Sequence, residues 1–291
     1  MCDDLTALDE DAALAARGLS RRSFGAISAA GVLAACAGSE SEAKARAGLS
    51  EGMVAITTPD GTADGFFVRP AKGKHPAIIM WPDIAGLRPA YMEMGRRLAS
   101  AGYAVLVVNH YYRSAKAPIM ATMAEWRTPE GQAKLKPMIA AITPPGVTSD
   151  TMAFVAWLDR QAGVERGRGI GTIGYCMTGP FTVRAAAAVP RRIKAAASCH
   201  GGGLVTDAPD SPHRLLASTS ASYLFAIARN DDARAPGDKD ALRAAAKAAG
   251  RAAEVEVYNA DHGWCTLDAP TYDKGEAERA WARVLALFKG L

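Results

Sequence analysis

The sequence predicts an α/β protein with a mostly parallel central sheet flanked by helices, and three observations lead there. From Gly52 onward, short β-rich runs alternate with longer runs at helical spacing, the pattern of a parallel sheet with helices packed on its faces. Most of the β-rich runs are apolar throughout rather than alternating, as strands covered on both faces are. With 291 residues, 49% hydrophobic and 22% charged, the chain can bury one substantial core.

The elements follow in order. Residues 53–57 and 65–69 are predicted to open the fold as a hairpin around Pro59-Asp-Gly61, because Asp-Gly suits a tight turn. Strands of the buried kind follow at 77–81, 103–109, 169–174, 193–198, 223–228 and 254–258. Between and after them, 88–101, 149–161, 178–189, 237–249 and 273–288 carry apolar residues at helical spacing. Residues 114–148, with Pro118, Pro129, Pro137 and the pair Pro144-Pro145, break this rhythm and are expected to form a lid insertion.

Residues 1–47 are set apart from the single domain expected over 48–291. Ser20-Arg-Arg-Ser-Phe24 precedes a mildly apolar run of 11 residues, Gly25 to Ala35, and then small and polar residues. This reads as an export signal, since the run is too short to span a bilayer. The paired arginines resemble a twin-arginine signal, whose receptor passes proteins already folded. Leu33-Ala-Ala-Cys36 resembles a lipobox that would place a lipid on Cys36. The expected location is exported and periplasmic, with any membrane attachment made through that lipid, although Asp3, Asp4, Asp9, Glu10 and Asp11 are unusual in a signal.

Several function classes are disfavoured. The net charge of +4 comes from 34 basic and 30 acidic side chains without a basic block interleaved with aromatics, so no nucleic-acid partner is expected. No Cys/His spacing matches a structural zinc site, and neither a metal nor a cofactor is expected.

In open α/β sheets the reactive groups lie at the carboxyl ends of strands. After the strand ending near Gly174, the run Gly174-Tyr-Cys-Met-Thr-Gly179 leads into a helical pattern. A nucleophile elbow is a strained strand-to-helix turn with small residues on either side of the nucleophile. Gly174 meets that need, whereas Thr178, with Gly179 beside it, stands at the second small position. Cys176 is therefore the candidate nucleophile, and the Met177 N–H is a candidate donor to an oxyanion. Asn259-Ala-Asp-His-Gly-Trp264 places His262 on the loop after the last strand as the candidate base, with His200 as its rival. Arg229-Asn-Asp-Asp232 supplies the acid, Asp231 by its register and Asp232 as the alternative. The order nucleophile, acid, base is that of an α/β-hydrolase.

With these three motifs in place, residues 50–290 resemble the dienelactone hydrolase (carboxymethylenebutenolidase) family of cysteine-dependent α/β-hydrolases. The resemblance implies a carboxylic ester hydrolase acting on a small ester or lactone through a Cys-His-Asp triad and an acyl-cysteine intermediate. It assigns Asp83, where the family has Glu, as the acid that contacts the resting thiol, and the N–H of Ile84 as the second oxyanion donor. Arg113 matches the first of the family's substrate-carboxylate arginines, while Thr266 stands where the second would be. Tyr112, His200 and Trp264 join Arg113 as substrate-contacting candidates. Cys199 and Cys265 also follow strands; they are expected near the site as two separate buried thiols, with pairing the alternative in an oxidising compartment. The other readings are a thioesterase, acyltransferase or peptidase on the same triad, and an exported binding protein without turnover.

Overall fold

The computed structural model describes residues 48–291, together with Ala15 of the preceding segment. The twin-arginine motif and the lipobox at Cys36 lie outside the described residues. Strand β1 (Leu49–Thr58) and β2 (Gly61–Pro70) form the expected hairpin, longer than its apolar cores suggest. Thr58 Oγ1 accepts the Asp60 N–H and donates to Gly61 O across the turn, and Gly61 takes a positive φ of 136°. β3 (Ala77–Trp81), β4 (Ala104–Val108), β5 (Ile170–Tyr175), β6 (Ile193–Cys199), β7 (Ser222–Ala228) and β8 (Ala253–Tyr258) complete one eight-stranded sheet. Its order is β1-β2-β4-β3-β5-β6-β7-β8, with β1, β2 and β4 joined antiparallel and every other pair parallel.

That order carries the functional consequence. From β3 the chain crosses to β4 on one side, and then returns to β5 on the other. The loops leaving β3 and β5 diverge above two adjacent strands, and such a switch point is where open α/β sheets hold their ligands.

Helices cover both faces. Phe154, Val155 and Leu158 of α4 (Pro144–Leu158), Val183 and Ala186 of α5 (Gly179–Ala188), and Leu242 of α8 (Asp238–Ala248) pack on one face against Ile79, Trp81 and Leu106. On the other, Tyr91, Met94 and Leu98 of α1 (Pro89–Ser100) and Ala280, Val284 and Phe288 of α9 (Lys274–Phe288) pack against Ile78, Met80 and Val105. Alternate strand residues thus feed opposite layers, and both layers are apolar, which is why these strands read as continuous hydrophobic runs. Short helix α6 (Pro212–Leu215) precedes β7, and α7 (Arg229–Arg234) begins directly after it.

Residues 114–148 are more regular than a bare lid loop. They hold α2 (Met123–Trp126) and α3 (Pro129–Ala140), and α4 begins at Pro144 rather than near residue 149. Pro129 and Pro144 start α3 and α4 instead of breaking them, while Pro137 lies inside α3. Thr128 and Thr143 each accept the N–H of the residue three positions on, and a proline fills the first helical position, where its missing N–H costs nothing. Ile119, Met120, Met123 and Leu135 from this segment cluster with Ile84, Tyr111 and Cys176. Among the described residues, no helix is long and apolar enough to cross a membrane.

Candidate active site

Cys176 leaves β5 with φ of 57°. A non-glycine residue in this left-handed region carries roughly 1–2 kcal/mol of strain, so the surrounding packing must hold it there. Gly174 and Gly179 make that possible. A Cβ on Gly174 would lie 2.4 Å from Thr178 O, and one on Gly179 would lie 2.5 Å from the Gly201 Cα. Thr178 is no defect in the elbow. Its buried Oγ1 accepts the Tyr175 N–H at 3.0 Å and lies 2.8 Å from Trp81 O and 2.9 Å from Tyr175 O, pinning the turn to the end of β3.

The Cys176 N–H donates to His200 Nδ1 at 3.1 Å. That bond makes Nδ1 an acceptor and leaves the proton of neutral His200 on Nε2, which is buried without a partner. Burial, and then the neighbouring His262, hold its pKa well below the usual histidine range. His200, the rival base, is thus a neutral prop under the elbow, itself at a positive φ of 41°. Its ring lies 4.9 Å from that of His262, so the elbow and the candidate base meet across it.

His262 Nδ1 lies 2.7 Å from Asp231 Oδ2, and the His262 N–H donates to Asn230 Oδ1 at 2.9 Å. The first turn of α7 therefore grips both ring and backbone. Thr271 Oγ1 donates to His262 O at 2.6 Å, and Arg229 reaches Asp261 through Nε and Nη2 at 2.8 and 3.0 Å, fastening the rest of the loop. Asp232 turns the other way and pairs with Lys239 Nζ at 2.7 Å. No sequence motif marks Asn230 or Thr271 for this part, beyond the place of Asn230 beside Asp231.

Ile84 lies in a turn closed by the Ala85 N–H on Asp83 Oδ1 and the Gly86 N–H on Asp83 O. The Tyr111 hydroxyl donates to Ile84 O at 2.8 Å and lies 3.5 Å from Met177 Sδ, joining the two loops that carry the candidate oxyanion donors. No sequence motif marks Tyr111 for this part.

Other candidates sit elsewhere. Both Asp83 oxygens are taken by Arg88, at 2.7 and 3.0 Å, instead of facing a thiol. Arg113 is held by Asp60 and Asp150, and the Tyr112 hydroxyl also bonds Asp150 at 2.7 Å. Both residues thus brace α4 against the β1–β2 hairpin. Thr266 pairs with the Tyr91 hydroxyl at 3.2 Å. Trp264 is fully buried, stacked on Tyr258 and in a T-shaped contact with His200, and is scaffold. Cys199 and Cys265 are free thiols in contact with each other, lining a pocket of about 60 Å³ with Tyr175, Met94 and Val284 beneath α1 and α9. Burial, and then the Cys199 thiol, push the Cys265 pKa well up. Cys176 takes part in a disulfide bond, so its chemistry as a nucleophile belongs to the reduced chain. Among the described residues, no group of three or more His, Cys, Asp or Glu could hold a metal.

The family model described as "Dienelactone hydrolase family" matches residues 63–291. A "Putative carboxymethylenebutenolidase" of Escherichia coli (strain K12) is 26% identical over 245 residues, covering 82% of this chain and 86% of that protein. One from Methylorubrum extorquens is 28% identical over 248 residues, covering 83% and 81%. Among solved structures, one described as a "Putative Dienelactone Hydrolase" from Klebsiella pneumoniae superposes with a TM-score of 0.72 at 23% identity, over 84% of this chain and 99% of that one.

Proposed function

Because this chain belongs to the dienelactone hydrolase family, we propose that it is a carboxylic ester hydrolase that cleaves a small ester or lactone through an acyl-cysteine intermediate. One observation carries the reading: Cys176 stands at a strained turn over the β3/β5 switch point, with the His262–Asp231 pair reached across His200. Asp231 fixes the ring so that its Nε2 is the atom that takes the thiol proton. The thiolate attacks the ester carbonyl, and the oxyanion is received by the N–H groups of Met177 and Ile84. As the tetrahedral intermediate collapses, the imidazolium returns its proton to the leaving alkoxide, giving a thioester on Cys176. Water, deprotonated by His262, then attacks the thioester and releases the acid and the thiol.

Fused aryl esters and lactones assayed in reductant test this directly. Cys176→Ala should lose measurable turnover, and wild type quenched early with substrate should gain the mass of one acyl group on the peptide bearing Cys176. Full activity in the alanine variant would sink the reading. The family's carboxylate-bearing substrate is not carried over, since Arg113 is committed to Asp60 and Asp150 and residue 266 is Thr.

A further inference from the structure

Three segments distant in sequence meet at one buried side chain. The loop after β3 carries Ile84, the loop after β8 carries His262, and residues 114–142 pack over Cys176. Arg88, fully buried, lies between them. Its Nη1 and Nη2 reach the two Asp83 oxygens at 2.7 and 3.0 Å, while Nε and Nη2 reach Asp268 Oδ2 and Oδ1 at 2.8 and 2.7 Å. The remaining Nη1 proton goes to Gly86 O at 3.1 Å. Asp268 Oδ2 also accepts the Met123 N–H at 3.0 Å, which brings the covering segment into the network.

A guanidinium has five N–H donors, and here all five are spent. Arg88 therefore has nothing left to offer a substrate, and both Asp83 oxygens face Arg88. Stability does not explain the arrangement well, because a buried ion network is commonly matched or exceeded by apolar side chains of the same volume. What a planar fork does better than apolar packing is fix angles. A lysine, with three donors around one point charge, could not hold both carboxylates in this way. Pairing Asp83 with Arg88 also matters electrostatically, since an unpaired carboxylate one residue from Ile84 would oppose a negative charge developing at its N–H more strongly.

Building on the catalytic reading above, we propose that Arg88 and Asp268 are positioning residues that hold the Ile84 N–H in register with the His262 loop, and tie both to the covering segment through Met123. Their effect falls on the oxyanion, which is absent from the ground state, and not on the Cys176–His262 proton exchange.

The test compares two readouts in reductant: hydrolysis of a small neutral 4-nitrophenyl ester, and the rate of Cys176 alkylation by iodoacetamide across pH. In Asp268→Asn, kcat should fall by about 100-fold, the cost of a misplacement near 1 Å, with KM and the alkylation profile close to wild type. Arg88→Lys, which keeps the charge balance, carries the same expectation and serves if the asparagine variant does not fold. An unchanged kcat, or alkylation and kcat falling together, overturns the positioning role. Wild-type protein that still hydrolyses ester after alkylation of Cys176 overturns the catalytic reading instead, so the two failures are distinguishable.

Discussion

Asp231 and Asp232 are adjacent and chemically identical, yet one faces His262 at 2.7 Å and the other pairs with Lys239. The backbone decides this: β7 ends at Ala228 and α7 begins at Arg229, so successive side chains turn by a helical step. Asp231→Asn should lower kcat by about 100-fold or more, because the imidazole loses the partner that selects its tautomer and stabilises its charged form. Asp232→Asn should stay within a few-fold of wild type, losing one partly exposed ion pair. Steady-state kinetics on the two variants checks the assignment, and equal losses would contradict it. The places of Cys176, His262 and Asp231 beyond strand ends were legible because they follow the chain order that the α/β-hydrolase fold uses. Arg88, Asp268, Tyr111 and the role of His200 were not. Arg88 and Asp268 are 180 residues apart, and no local pattern announces a contact across that distance.

At the scale of elements, the strand-turn-helix unit around Cys176 depends on backbones that nearly touch. Gly174→Ala would drive its Cβ to 2.4 Å from the Thr178 carbonyl oxygen, a backbone atom that cannot rotate away. We expect a stability loss of about 1–3 kcal/mol together with a loss of turnover, seen as a lower thermal midpoint and lower kcat. A variant matching wild type in both would show that the elbow has room to spare. The strands and five of the helices could be read from periodicity, since two-sided burial makes the inner strands β3, β4 and β5 continuously apolar and one-sided burial gives each helix a stripe, whereas β8 at the sheet edge alternates with Glu254 and Glu256. The start of α4 could not. Pro144-Pro145 reads as a breaker unless Thr143 is recognised as the cap that turns a proline pair into a helix start.

Across the whole molecule, two imidazoles are buried in neutral form. His110, enclosed at the end of β4 near Arg88, has its pKa lowered to about 3, first by burial and then by the guanidinium, and His200 is also shifted down. The unfolded chain binds protons on these rings below about pH 6.5, where the folded chain does not. Stability from this source is therefore complete above that pH and is lost as the pH falls toward 3. At pH 5 the loss from His110 alone is on the order of 2 kcal/mol. Urea unfolding at pH 7.5 and 5 should show a lower midpoint at the acid pH, and His110→Asn should shrink that difference. A midpoint indifferent to pH would argue against neutral burial.

The parallel sheet also divides the molecule by direction. Every group assigned a part in chemistry sits beyond the carboxyl ends of the strands, while the turns that enter them carry none. Three of those entry turns hold glycines with open space where a side chain would point: Gly102 before β4, Gly167 before β5 and Gly250 before β8. They are the natural anchorage for a surface linker or an inserted reporter, because a graft there leaves the mouth of the site facing solution.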